Sequence, residues 1–181
     1  MATRFSRRGL FRRFGQRLDA TRRRRRIRVL RWLRPPGFSG EGIEACLHCD
    51  ACVQACPRGA LRKVVLDGHT VPAIDPLRAP CVLCDDLPCI PACPHGVLKP
   101  VAREAVRLGR AEVVSDRCAH GRGEACTACF DACPLPGLAI SLLPGAPEGP
   151  VPRIHGDACT GCGSCLHACP EDPKAIRILP R

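Results

Sequence analysis

Aromatic residues are nearly missing from this chain: five Phe, one Trp and no Tyr make up 3% of 181 residues. A body of this size usually depends on large buried rings, so side chains alone would give a thin core and something else must hold the fold. Long apolar runs are missing too. No stretch approaches the ~20 consecutive apolar residues of a membrane-spanning helix. There is no Gly-rich nucleotide loop, no pair of carboxylates in a cleft pattern and no Ser/His/Asp constellation, so the sequence predicts no substrate and no enzymatic activity of its own.

What is present is cysteine, sixteen of them, with nineteen prolines and seventeen glycines. In Cys159-x2-Cys162-x2-Cys165-x3-Cys169-Pro170, three cysteines are spaced by two residues and a fourth follows after three more, before a proline. That is the run by which bacterial ferredoxins hold a [4Fe-4S] cluster, the fourth thiolate serving the neighbouring cluster. Gly161, Gly163 and Ser164 let the backbone wrap closely, with peptide N–H groups free to meet sulfur. The pattern repeats. Cys46, Cys49, Cys52 and Cys56 have the same spacing; Cys81, Cys84, Cys89 and Cys93 carry two extra residues in the third gap; Cys118, Cys126, Cys129 and Cys133 carry five extra in the first. The four motifs span residues 46–57, 81–94, 118–134 and 159–170, each closes on Ala-Cys-Pro, and no cysteine is left over.

The expected cofactors are therefore four [4Fe-4S] clusters with these sixteen cysteines as ligands. Structural zinc uses Cys-x2-Cys pairs separated by longer loops, and three cysteines within seven residues suit it poorly. A disulfide framework lacks the intact secretion signal that would favour it. His48, His95, His120, His155 and His167 lie in or beside the motifs, but with a full set of thiolates they read as surface groups or partners of ligands; His69 falls in an expected turn. Metal bound only in the folded state adds to folding free energy, so the apo chain is expected to be largely unfolded.

The formal charge of +11 conceals a division. Residues 1–37 hold fourteen Arg against one acid, Asp19, a net of +13, while residues 38–181 hold 14 basic and 16 acidic side chains, a net of −2. Each oxidised cluster with four thiolates adds about two negative charges, taking the loaded body to roughly −10. The tail opens with Ser6-Arg7-Arg8-Gly9-Leu10-Phe11, which looks like a twin-arginine signal, but five arginines, Arg22 to Arg26, stand where the apolar core of such a signal belongs. The expectation is a cytoplasmic protein, peripheral on the inner face of the membrane if the Arg-rich tail meets anionic lipid. A solvated tail, or one that docks on an acidic redox partner, fits the same composition; nucleic-acid binding has only the charge behind it.

Arg34-Pro35-Pro36-Gly37 breaks the chain, which places the folded body at 38–181. Residues 50–54 read as a short helical turn, 60–66 and 71–74 as a hairpin across Asp67-Gly68, and 101–108 as a helix capped by Gly109. Strands are expected at 111–114, 138–143, 151–154 and 175–179. The fold class is α+β: two bacterial-ferredoxin-like modules of two clusters each, loop-rich and stapled by their clusters, the unit being strand, Cys loop, brief helix, Cys-Pro and strand, four times over. The two regular motifs lie outside and the two enlarged ones inside, which favours a nested pairing of one with four and two with three. Under it Cys46, Cys49 and Cys52 join Cys169; Cys159, Cys162 and Cys165 join Cys56; Cys81, Cys84 and Cys89 join Cys133; and Cys118, Cys126 and Cys129 join Cys93. Tandem pairing, one with two and three with four, is the competitor.

The ordered spacings, Arg34-Pro35-Pro36, the enlarged motif from Pro80-Cys81 through Asp85-Asp86-Leu87-Pro88-Cys89 to Cys93-Pro94, Asp157 to Gly163 and the closing Ala175 to Pro180 resemble the four-cluster MauM/NapG-type ferredoxins of methylamine-utilisation and periplasmic nitrate-reductase systems. The resemblance covers residues 34–181. It implies an electron carrier between a membrane quinol oxidase partner and a terminal reductase or dehydrogenase, on the outer face of the membrane, from which the missing apolar core of the signal departs. Ser6 to Leu10 is also similar to the cytoplasmic NapF-type proteins, which implies an alternative role in assembling a molybdoenzyme.

Overall fold

The computed structural model describes residues 32–38, 45–66, 68–143 and 151–180. The arginine run expected to form the tail lies outside the described residues. Short elements are what this composition allows: among the described residues the β-branched and aliphatic runs pair as six strands, and all but the one at 109–113 end at or within two residues of a glycine or proline.

Strands β1 (Leu61–Leu66) and β2 (His69–Ile74) form an antiparallel hairpin from Leu61↔Ile74 to Leu66↔His69, with Gly68 at φ +86° in the turn. His69 is thus the first strand residue rather than part of the turn. Strands β3 (Gly109–Val113) and β6 (Ile176–Pro180) pair antiparallel, and β4 (Ile140–Leu143) and β5 (Val151–Ile154) do the same. An isolated bridge joins Phe38 to Leu98. The pairing is nested within each half of the chain. Motifs one and two are joined inside by β1–β2 and outside by the Phe38–Leu98 bridge; motifs three and four are joined inside by β4–β5 and outside by β3–β6.

Two apolar cores follow from this. One gathers Leu33, Leu61, Ile74, Leu83, Leu87, Ile90, Leu98, Val106 and Leu108; the other gathers Ala111, Ala139, Ile140, Leu166, Ala175 and Ile176. Leu135 and Ile178 pack against both. Burying each large aliphatic side chain contributes about 2 kcal/mol, and cysteines fill the places that rings would occupy elsewhere.

Three expectations change. The helix over 101–108 is a single 3-10 turn, Arg103–Ala105. Val106 and Leu108, 1% and 4% exposed, are drawn into the first core, and the N–H groups of Leu108 and Gly109 bond the Thr160 carbonyl, so Gly109 opens β3 instead of capping a helix. The brief helix recurs in three motifs, as α1 (Ala51–Gln54), α2 (Ala128–Asp131) and α3 (Ser164–Ala168), while motif two turns without one because Leu87 and Ile90 bury inside its enlarged loop. Packed chain begins before Phe38. Leu33 is 1% exposed and exchanges both backbone hydrogen bonds with Ile74, and Pro35 and Pro36 are fully buried.

Candidate metal centre

All sixteen cysteines are free of disulfides. Cys46, Cys49, Cys52 and Cys93 line one cavity of about 460 Å³, walled by Val53, Val71, Val97 and Leu98. Helix α1 carries Cys52 inward, and the loop before it bends through His48 and Asp50 at φ +55° and +66°. Lys63 of β1 fixes that loop: its ammonium donates to the His48 carbonyl at 3.2 Å and pairs with Asp50 at 2.8 Å. Burial would push the Cys93 thiol up, but the N–H groups of Leu98, Val97, His95 and Gly96 outweigh it and hold the thiol below its ordinary range. Cys49 is the exposed member.

Cys56, Cys81, Cys84 and Cys89 line a second cavity of about 360 Å³. The Ala60 N–H donates to the Cys56 sulfur at 3.3 Å, a cradle contact of the kind that the glycine-rich loops lead one to expect. The two extra residues of this motif form a tight turn, closed by the Leu87 N–H on the Cys84 carbonyl at 3.2 Å, and Arg103 anchors Asp85 from outside at 2.5 Å.

Cys133, Cys159, Cys162 and Cys165 line a third cavity of about 380 Å³, with Leu135, Ala139, Ile140 and Ile154 around it. Cys118, Cys126 and Cys129 are close enough for their charges to interact, and Cys169 is buried in the same apolar cluster as Cys129. The extra residues of motif three form a 3-10 turn, Ala119–Arg122, from which the His120 ring meets the Cys126 carbonyl at 2.9 Å. Arg122 grips Glu171, two residues beyond Cys169, through both carboxylate oxygens at 2.9 and 3.0 Å. The loop that carries Cys118 is thereby tied to the chain that carries Cys169.

The cysteines therefore group in tandem, and the nested pairing is overturned. Cys93, not Cys169, completes the motif-one cavity; Cys56 joins motif two, and Cys133 joins motif four. The cause is the strand pairing. Hairpin β1–β2 returns the chain from motif one directly to motif two, and β4–β5 does the same for three and four, so the outer motifs never meet as a pair. In each of the three cavities one cysteine comes from the neighbouring motif: Cys93, Cys56 and Cys133.

Burial dominates the electrostatics. It pushes the thiols of Cys52, Cys89 and Cys129 up to about 11 and that of Cys81 to about 12, neighbouring cysteines adding to the effect, and it raises Cys165 further still. Four thiolates in an apolar pocket are stable only around cationic metal. Among the described residues, no three His, Cys, Asp or Glu converge where a single metal ion would sit. Three sets of four thiols each line a cavity. Soft donors arranged this way fit a polynuclear iron–sulfur core better than a lone tetrahedral zinc.

The histidines serve other bonds. His155 meets the Ser141 hydroxyl at 2.8 Å, His167 meets the Leu77 carbonyl at 3.1 Å, and His95 lies at the rim of the first cavity. The functional contacts that spacing did not reveal are those of Lys63, Arg122 and Lys174, whose ammonium donates to the Cys169 carbonyl. The partners of Lys63 and Arg122 lie across loops and that of Lys174 five residues back, and the cysteine spacing marks none of them.

Residues 45–97 match the 4Fe-4S dicluster domain family, a unit that takes in motifs one and two together, and residues 156–172 match a 4Fe-4S binding domain. The chain is 40% identical to the methylamine utilization ferredoxin-type protein MauM of Paracoccus denitrificans over 83% of this chain and 72% of that one. It is 35% identical to the ferredoxin-type protein NapG of Escherichia coli, over 82% of this chain and 70% of the other. The ferredoxin-type protein NapF of the same organism is 28% identical over 90% of this chain and 97% of its own length. No solved structure matches.

Proposed function

Given that the chain belongs to the MauM/NapG family of ferredoxin-type proteins, iron–sulfur electron carriers and not enzymes, we propose that it is a two-module wire whose sixteen cysteines hold four [4Fe-4S] clusters. Such clusters, when bound, accept and release single electrons at potentials set by hydrogen bonds to sulfur, solvent access and charge. The tandem grouping of the thiols is the observation that carries this reading, because it defines two self-contained pairs. In the first module, Cys46, Cys49, Cys52 and Cys93 hold one cluster and Cys56, Cys81, Cys84 and Cys89 the other. In the second, Cys133, Cys159, Cys162 and Cys165 hold one, and Cys118, Cys126, Cys129 and Cys169 the other.

The chain's own residues supply order and insulation. Cys81 and Cys162 lie close enough to interact electrostatically, and the Cys81 N–H donates to the Cys162 carbonyl at 3.2 Å, so the two middle quartets abut. The linear sequence is thus the Cys46, Cys81, Cys159 and Cys118 quartets. Apolar walls exclude water from the interior ones, while exposed Cys49, with Leu47 66% exposed beside it, gives one end of the wire access to a protein partner. Redox partner proteins, an oxidoreductase or a quinol-linked membrane protein, fit that end. We place the protein in the cytoplasm, at the inner membrane face through its Arg-rich tail; among the described residues no helix is long and apolar enough to cross a membrane.

Anaerobically reconstituted protein should contain about sixteen irons with matching labile sulfide, and its dithionite-reduced form should be reoxidised rapidly by membranes or a purified partner. A colourless, zinc-loaded product would overturn the reading. The near-complete coverage of NapF favours one alternative, an assembly role for a molybdoenzyme, which stoichiometric capture of an apo-enzyme precursor without electron transfer would support.

A further inference from the structure

The seam between the two halves holds a buried hydroxyl that the electron-carrier reading does not use. Ser164, 7% exposed, opens α3 between Cys162 and Cys165. Its Oγ lies 3.6 Å from the Cys162 sulfur and 3.3 Å from the Cys81 carbonyl oxygen, 83 residues away in the chain. Beside it, the Cys81 N–H bonds the Cys162 carbonyl at 3.2 Å. Backbone and hydroxyl together link a cysteine of one quartet to a cysteine of the next. Gly163, at φ +88°, is what allows the approach, because a Cβ there would come within 2.3 Å of the Pro76 ring.

Whether Cys162 ligates metal decides which of its two neighbours the hydroxyl bonds. As a free thiol, Cys162 donates its proton to Ser164 Oγ, and Ser164 passes its own to the Cys81 carbonyl. As a metal ligand, Cys162 is a thiolate and only accepts. The single hydroxyl proton then has two acceptors, an anionic sulfur and a neutral carbonyl, and the charged one forms the stronger bond. Resting on the four-cluster reading above, we infer that Ser164 is a positioning residue of the inter-module junction: its hydroxyl turns to the Cys162 thiolate when metal is bound and raises the reduction potential of that one centre. The raised potential follows because the extra electron adds negative charge at sulfur, and a donor there stabilises the reduced form more than the oxidised. The site makes the cluster at the seam the better electron acceptor of the second module.

The test is Ser164→Ala in the full chain, reconstituted anaerobically and titrated by EPR-monitored potentiometry. The expected result is wild-type iron and sulfide content with one of the four midpoints shifted negative and the other three unmoved. Full iron with all four midpoints unchanged overturns the assignment, whereas wild-type protein that fails to take up iron–sulfur clusters overturns the underlying reading instead. If the alanine variant loads iron incompletely, Ser164→Thr decides. Retention of the hydroxyl should restore both iron content and the wild-type midpoint; a threonine variant that restores neither, or that loads fully with the same midpoint shift as alanine, overturns the role of the hydroxyl.

Discussion

A Cβ placed on Gly161 would lie 2.3 Å from the carbonyl carbon of Gly109, so the motif-four loop meets the first residue of β3 backbone to backbone. The contact is sealed by the Leu108 and Gly109 N–H groups, both of which bond the Thr160 carbonyl, at 2.8 and 3.3 Å. Gly161 also sits at φ +69°. Gly161→Ala therefore combines backbone strain with overpacking against atoms that cannot rotate away, roughly 1–3 kcal/mol for each. The variant should lose iron from the Cys159 quartet and melt well below wild type. Gly137→Ala is the control: φ is +79° there but nothing stands within 4 Å, so only the strain applies and iron content should hold.

The grouping of the cysteines is open to a count of iron. Cys56→Ser combined with Cys81→Ser removes two ligands from one quartet, since Cys56 and Cys81 line the same cavity. The double variant should retain about twelve irons, one four-iron cluster fewer than wild type. Nested pairing would place the two lesions in different clusters and leave about eight. Iron and labile sulfide analysis separates the two.

How much of this could be read from residues alone depends on the range of the interaction. The ligand spacing, the short turn at Ala51–Gln54 and the strands after the Cys-Pro pairs of motifs one, three and four are set within a dozen residues, and they form within two residues of where periodicity puts them. The pairing of motifs is set by which strands share an edge, and regularity of spacing carries no information about that. Residues 101–108 have helical periodicity, but Val106 and Leu108 gain more by burial in a core built from distant residues than one short helix offers. Ser164 looked like a small residue that spares the backbone; its tie to Cys81 spans the two halves and leaves no local trace.

Metal loading should release protons. The thiols of Cys52, Cys89 and Cys129, pushed up to about 11, and Cys81, to about 12, from the ordinary thiol value of 9.0, are protonated at pH 7 in the unligated fold. In the unligated fold this favours the folded state below pH 9 and is lost as pH rises through the range 9–12, because the unfolded chain ionises first. Cluster assembly requires thiolates, so iron displaces those protons and is favoured in the opposite direction, by raising pH from 7 towards 9. Reconstitution followed in weakly buffered solution with a pH indicator should show acidification, and loading should be faster at pH 8.5 than at pH 7. Equal rates with no proton release would contradict the buried-thiol account.

The clamp of Arg122 on Glu171 holds the Glu171 carboxyl below its usual value of 4.5, chiefly through the guanidinium hydrogen bonds. A carboxylate lowered in the folded state stabilises above the unfolded value and loses that contribution as pH falls below 4.5. Arg122 is exposed and Glu171 half-buried at the surface, so Arg122→Ala should lower the melting temperature only slightly, and the difference should shrink in high salt. Its sharper effect is local. Because the clamp ties the Cys118 loop to the chain beyond Cys169, chelator should strip iron from that quartet sooner in the variant than in wild type, with the other three quartets unaffected. Uniform stripping of all four would detach the clamp from that site.

The Arg-rich tail and the packed body are separable at residue 31 but not at 33. Leu33 is buried at 1% exposure, donates to the Ile74 carbonyl at 3.0 Å and accepts from the Ile74 N–H at 2.8 Å, so it belongs to the first core. Removing residues 2–31 should leave iron content, visible spectrum and melting temperature unchanged while abolishing cosedimentation with vesicles that contain anionic lipid, as each lost basic residue gives up on the order of 1 kcal/mol at such a surface. Extending the deletion through Leu33 should cost about 2–5 kcal/mol more, the usual effect of emptying a buried leucine site. Vesicle binding that survives the shorter deletion would remove the membrane from the functional reading and leave the tail to a protein partner, which low-salt capture by an acidic redox protein would then identify.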